Sequence, residues 1–398
     1  MSNAFQERSA RGRNQTLRGV LLATACVFVA GVALASRHVI GERFYRAALW
    51  QSHHQNYSHA EADFHTAMRF DPKDSRILRG YGVMLAQEKK TPLAMAAFRE
   101  AVRIDPADYK SHFDLGLNLL STGQTASAIP ELETAIRIHP DYARAYRTLG
   151  LALVAGGDRE AANAAYRHAI QIAPRDPIAH EYLGNSLAAA GNISAAIEEE
   201  QQAVRLAPAD AHAYVYLSEA LFADHQYERA ANEAQEAVAV DPRNARAHSI
   251  LGKNLFILHR WDQAVNECLS AERLDRNLVS PHINLALIYF AREDWDHALV
   301  ENQALVQLQP SDARAHARFG ALLARAGDQK AAAAECGQAM AMAPHDPSVL
   351  NSEGYVLLMS GQKALAVKQW KAVLQRGDSG AVTEARKYLT QYQSDQTL

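Results

Sequence analysis

The sequence predicts an all-α fold: a solenoid of about ten helix–turn–helix units of 34 residues, with an N-terminal membrane helix and a C-terminal capping helix. Three recurrences predict it. Prolines return in phase at Pro72, Pro106, Pro140, Pro174, Pro208, Pro242, Pro310 and Pro344, with Arg276 and Asp378 breaking the series. An alanine returns at the same step from Ala60 through Ala94 and Ala128 to Ala366. A third in-phase position is small throughout, most often glycine: Ala48, Gly82, Gly116, Gly150, Gly184, Ser218, Gly252, Ala286, Gly320 and Gly354. Proline ends a helix because it lacks the N–H and clashes with the preceding turn. Small residues at one recurring place let two helices approach closely, where a bulky side chain would overpack the contact at ~1–3 kcal/mol.

The unit 143–176 shows each element in order. Tyr146, Leu149, Gly150 and Leu153 fall on one face of a first helix. Gly156 and Gly157 break it, since glycine forms turns better than helices. Ala162, Tyr166, Ala169 and Ile170 make the apolar face of a second helix, which Pro174 ends. The same residues carry a resemblance to the tetratricopeptide repeat family, whose signature runs from a large residue through Leu-Gly to Ala, an aromatic, Ala and Pro. The resemblance covers residues 41–380 as ten units without insertions and implies a right-handed superhelical α-solenoid. It weakens in the first unit, at Asn302 and Leu305 in the eighth, and at Glu353 in the tenth.

Before the repeats, residues 1–18 form a polar tail with Arg8, Arg11, Arg13 and Arg18. Residues 19–35 carry no charge, and a helix of that length rises ~25 Å, near the lower limit for a bilayer. The segment reads as a transmembrane anchor; cleavage as a signal peptide near Ala35 is the alternative. Arginines ahead of it favour a cytoplasmic N-terminus. The expected placement is therefore a single-pass inner-membrane protein with repeats in the periplasm, or a secreted or periplasmic product after cleavage. Residues 381–393 space their apolar residues at three and four, as a capping helix over the last exposed repeat face requires.

The chemistry of catalysis is missing. The formal net charge is -3, from 41 basic and 44 acidic residues, which is too balanced to argue for nucleic acid. No phosphate loop, dinucleotide glycine pattern or HExxH is present. Cys26 lies in the apolar segment, and Cys268 and Cys336 stand two repeats apart, too far for a disulfide, so they read as small core residues. His112, His180, His248, His282 and His316 recur in phase with Tyr146 and Tyr214; stacked equivalents lie of order 10 Å apart, so they read as structural rather than as a metal ladder. His53, His54, His59 and His65 cross the first turn and read as a solvated cluster or a weak metal site. The expectation is a chain that is not an enzyme, with no cofactor, metal or small-molecule substrate.

The resemblance implies that the first helices line a concave face for peptides or protein segments. The residues one step round from the core positions there are Arg147, Leu151 and Val154 in the fourth unit, then Glu181, Asn185 and Ala188. Val215, Glu219 and Phe222 follow, then Ser249, Lys253 and Phe256, and Ile283, Leu287 and Phe290 in the eighth. Phe222, Phe256 and Phe290 form an apolar row beside a polar row of Asn185, Glu219 and Lys253. Burial for affinity beside hydrogen bonds for register is what a peptide groove needs. The competing reading packs the phenylalanines between helices and pairs Glu219 with Lys253. The candidate partner-binding residues are Arg147, Asn185, Glu219, Phe222, Lys253, Phe256 and Phe290. The functional expectation is a membrane-attached scaffold for an envelope complex; a glycan-binding accessory and a self-assembling structural protein are the alternatives.

Overall fold

The computed structural model describes residues 37–376 and 379–394, all of them in helices or in the turns between helices. They fall into two units that divide within one helix, after Ser186.

In the first unit, α1 (37–53) pairs with α2 (Tyr57–Phe70) and α3 (Ser75–Gln87) with α4 (Thr91–Ile104). α5 (Tyr109–Ser121) follows with α6 (Thr125–Ile138), then α7 (Ala143–Ala155) with α8 (Arg159–Ile172). α9 (Pro177–Ala189) contains the division. The second unit continues with α10 (Ile193–Leu206), α11 (Ala211–Ala223), α12 (Tyr227–Val240), α13 (Ala245–Ile257) and α14 (Trp261–Leu274). It is completed by α15 (Val279–Ala291), α16 (Trp295–Leu308), α17 (Ala313–Arg325), α18 (Gln329–Met342), α19 (Pro347–Met359), α20 (Lys363–Arg376) and α21 (Ser379–Ser394).

The small-residue series explains the hairpin contact. A Cβ added at Gly82 would stand 2.7 Å from the ring of Phe98, and one at Gly116 would stand 2.8 Å from Leu132. In the second unit a Cβ at Gly320 would meet the Cys336 sulfur at 2.8 Å. Gly150 faces Tyr166, Gly252 faces Cys268 and Gly354 faces Trp370 still more closely. Each large or polarizable side chain on the second helix thus occupies the space a first-helix side chain would need. Of the three non-glycine positions, Ala48, Ser218 and Ala286, Ser218 follows the same rule: it carries a side chain, and its in-phase partner is Ala234. Its hydroxyl donates to the Ala230 carbonyl at 2.7 Å.

Two recurring turns hold the hairpins in register. The turn inside each repeat needs a positive φ, found at Gly123, Gly157, Gly191, Gly327 and Gly361. At Gln55, Lys89, His225, His259 and Glu293 the same place is held by a non-glycine residue, with φ between 56° and 61°. The turn between repeats carries an N-cap two residues after the proline. Asp74, Asp108, Asp210, Asp312 and Asp346 each accept a backbone N–H of the following helix. Each such cap stabilises by ~1 kcal/mol.

At the C-terminal end, Ala381 and Ala385 of α21 are buried with Trp370 and Val373 of α20. Tyr388 stacks on Trp370 at 5.1 Å between ring centres. The helix covers this apolar surface over Ser379–Ser394, slightly longer than the 381–393 read from sequence.

The expected N-terminal membrane helix does not stand. Among the described residues no helix is long and apolar enough to cross a membrane. Helices α2 to α20 run 13 or 14 residues, about 20 Å against a hydrocarbon core of about 30 Å. Their repeating buried and exposed positions also leave each with a polar face. Residues 19–35 themselves lie outside the described residues. The transmembrane assignment, membrane attachment through 19–35, the periplasmic and inner-membrane placement and the secreted alternative are accordingly withdrawn.

Candidate functional site

The most distinctive surface belongs to the second unit, where three consecutive repeats end their first helix on a phenylalanine. Phe222 lies near the end of α11, Phe256 of α13 and Phe290 of α15. In each repeat the chain then turns through the left-handed region at His225 (φ 60°), His259 (φ 59°) or Glu293 (φ 56°). The second helix opens on an aromatic residue: Tyr227, Trp261 or Trp295. The turn therefore folds an aromatic pair together. Phe222 meets Tyr227 edge-on at 5.2 Å, and Phe290 meets Trp295 at 5.3 Å and 88°.

Cations from the following repeat sit on these rings. The Lys253 ammonium lies 3.7 Å from the centre of Phe222. Arg292 lies 5.9 Å over Trp261, and Arg325 lies 3.8 Å over Trp295. A cation over an aromatic face is attracted to the ring quadrupole, more strongly where water is displaced. Burial lowers the Lys253 pKa from its ordinary range, and nearby Glu219 partly restores it.

Glu219 does not pair with Lys253. Its carboxylate accepts from Arg246 at 2.7 Å, and the Arg246 guanidinium also lies 4.7 Å over Tyr216. Among the described residues Lys253 therefore keeps an ammonium on a ring, with no carboxylate within ion-pair distance. The phenylalanines are graded in exposure. Phe222 and Phe256 are half-buried and pack against their hairpin cores. Phe290 is 56% exposed and neighbours Leu287, which is 48% exposed. Val215 and Ser249, read from sequence as part of this face, are wholly buried.

Arg147 and Asn185 belong to the first unit, and the cluster just described is built from second-unit residues alone. Arg147 donates to Asp176 at 2.5 Å, and Asn185 is half-buried.

The recurring histidines are pins between neighbouring segments. His112 places one ring nitrogen 2.6 Å from Glu131 on the second helix and the other 3.1 Å from the Pro106 carbonyl in the turn. His248 repeats this with Glu267 and Pro242, and His316 with Glu335 and Pro310. His180 also reaches its turn, at the Pro174 carbonyl. His282 keeps the carboxylate partner, Glu301, at 2.7 Å, and a hydrogen bond to the backbone of Arg276, which stands where the other repeats have proline. The hydrogen bond that His282 donates to Glu301 chiefly raises the His282 pKa, with the Glu301 and Glu272 charges adding to it. From the first repeat, the His54 ring lies tilted against Trp50 at 4.1 Å and the His65 ring tilted against Tyr81 at 5.3 Å. Cys268 and Cys336 are buried free thiols, each pushed up to about 12 by burial.

Reasoning from sequence missed Tyr227, Trp261 and Trp295 and the cations Arg292 and Arg325 that join them. A signal was present: an aromatic residue follows each phenylalanine of the row at the fifth place.

A family model described as Tetratricopeptide repeat matches residues 52–109, 113–177, 148–211 and 216–277. No curated protein matches. Among solved structures, PilF of Pseudomonas aeruginosa is 23% identical, covering 52% of this chain and 94% of PilF, with a TM-score of 0.47. MamA from Desulfovibrio magneticus is 24% identical over 42% of this chain and 95% of its own, with a TM-score of 0.39. The Cut9–Hcn1 structure of the APC/C is 17% identical over 81% of this chain and 62% of that one, with a TM-score of 0.51.

Proposed function

The chain belongs to the tetratricopeptide repeat family, a non-catalytic protein-binding scaffold, and we propose that its second unit captures an extended peptide segment on the Phe222–Phe256–Phe290 face. The segment presents an acidic side chain to Lys253 and an apolar one to Leu287 and Phe290. One observation carries this reading: a half-buried ammonium without a carboxylate partner sits one repeat before a pair of exposed apolar side chains. Arg246 neutralises Glu219, so the carboxylate nearest Lys253 is already engaged. An incoming carboxylate regains for Lys253 the charge partner that burial costs it.

Backbone strain supports the same face. The three repeats with the phenylalanine row are those in the second unit whose turn uses His225, His259 or Glu293 in place of glycine. A side chain in the left-handed region costs ~1–2 kcal/mol, and such strain concentrates where a side chain has a task. Arg147 and Asn185 enter the proposal only as candidate contacts of the first unit.

Selection from a displayed library of unstructured peptides tests it. Wild-type protein is expected to enrich sequences with an acidic residue near an apolar one. Lys253→Met is expected to lose the acidic preference, and Leu287→Ala with Phe290→Ala the apolar one. Equal enrichment by all three proteins would overturn the assignment.

A further inference from the structure

We propose that Glu272, His282 and Glu301 form a binding site for one divalent transition-metal ion of the zinc class. Their ligand atoms all lie within 4.8 Å of one another, the one such group of His, Cys, Asp or Glu among the described residues. His282 and Glu301 are buried and Glu272 is half-buried. One imidazole and two carboxylates suit zinc and its first-row neighbours. In tetrahedral geometry with bonds near 2 Å, ligand atoms stand about 3.3 Å apart, so Glu272 needs to move in by no more than about 1.5 Å, while the 2.7 Å hydrogen bond between His282 and Glu301 gives way to the ion. Glu272 projects from α14 and has the side-chain freedom to move in.

The repeat pattern isolates what is new here. His112 with Glu131, His248 with Glu267 and His316 with Glu335 form the same histidine–glutamate pair. Ten residues before those histidines the chain has Val102, Val238 and Val306, and before His180 it has Ile170. Before His282 alone it has Glu272. An aliphatic core position has become a carboxylate beside a second carboxylate, and the turn proline has become Arg276 in the same repeat. Two like charges held together at partial burial repel unless a cation lies between them. A cavity of about 430 Å³ is lined by Glu272 and His282 together with Arg276 and Gln307. It leaves room for water or a partner group as the fourth ligand. Arg273 and Arg276 line the same cavity and oppose a cation, but both are exposed to solvent, which screens them.

The test is calorimetric titration of Zn²⁺ into chelator-stripped full-length protein carrying no histidine tag. Wild type is expected to bind one ion per chain and to show a higher melting temperature with Zn²⁺ than without. Glu272→Val supplies the residue found at the matching positions Val102, Val238 and Val306. It is expected to fold and to lose affinity by no less than the ~10–100-fold that removal of an outer-shell partner costs. Glu267→Gln, in a pair without a third ligand, is the control expected to leave binding unchanged. Two results overturn the proposal: no binding by wild type, or undiminished binding by Glu272→Val. The first assigns Glu272 to charging His282, and the second places the ion elsewhere, as at His53, His54, His59 and His65.

Discussion

Adding one methyl group at Gly252 tests the packing rule that sets the hairpin contact. Its Cβ would overlap the Cys268 sulfur, which is wholly buried, and lie 3.1 Å from the Ala264 carbonyl. Overpacking of this kind costs ~1–3 kcal/mol. Alanine regains ~1 kcal/mol of helix propensity over glycine, so Gly252→Ala is expected to destabilise by about 0–2 kcal/mol. Removing the sulfur first changes the sign. With Cys268→Ala in place the overlap is gone, as at Ser218 opposite Ala234, and Gly252→Ala is expected to stabilise by up to ~1 kcal/mol. The double-mutant cycle therefore predicts a favourable coupling of about 1–3 kcal/mol. Urea unfolding followed by far-UV circular dichroism reads it, with slopes compared so that a change in cooperativity is not mistaken for stability. Coupling below ~0.5 kcal/mol would refute the reasoning, because the two residues would then be energetically independent.

Other consequences are equally direct. Burial holds the Cys268 and Cys336 thiols protonated at neutral pH, so neither is expected to react with a thiol reagent in native buffer. Labelling at the rate of the urea-unfolded protein would contradict that. Lys89 has φ 60° where five repeats have glycine, and Lys89→Gly is expected to raise the urea midpoint, by up to ~1 kcal/mol of stability. A lower midpoint would show that the lysine side chain has a role of its own. His282 has a raised pKa, so without added metal its contribution is full below the ordinary value of 6.5 and fades as pH climbs through the folded value. The stability difference between wild type and His282→Gln should shrink from pH 6 to pH 9; a difference that widens would reverse the sign assigned here.

The sequence carried the backbone architecture because repetition multiplies weak signals. One proline at Pro174 marks a turn; eight in phase mark a fold. The small-residue series likewise announced a close approach, and Gly150 against Tyr166 shows what fills it. Partner choice among polar side chains was much less legible. Glu219 stands near Lys253 on the face read from sequence, yet it takes Arg246, whose fork also stacks on Tyr216. Such choices depend on reach across a neighbouring repeat, which linear spacing does not encode. The caps were readable but passed over: aspartate two residues after proline is a helix-start signal as strong as the proline itself. Val215 and Ser249 were misplaced because one step round a helix is a small angle. A position at the edge of the apolar stripe is buried or exposed according to how the next hairpin leans. The apolar run at 19–35 has membrane-like composition and lies outside the described residues, and composition alone does not make it an anchor.

Site-specific photo-crosslinking in the native cell tests whether the phenylalanine face holds a second protein. A photo-reactive residue at Phe290 sits on the exposed end of the proposed face. Glu236, exposed on α12, serves as the control. A discrete adduct with a second protein is expected from Phe290, absent from Glu236 and diminished by Lys253→Met. Adducts equal at both positions, or only between copies of this chain, would contradict it.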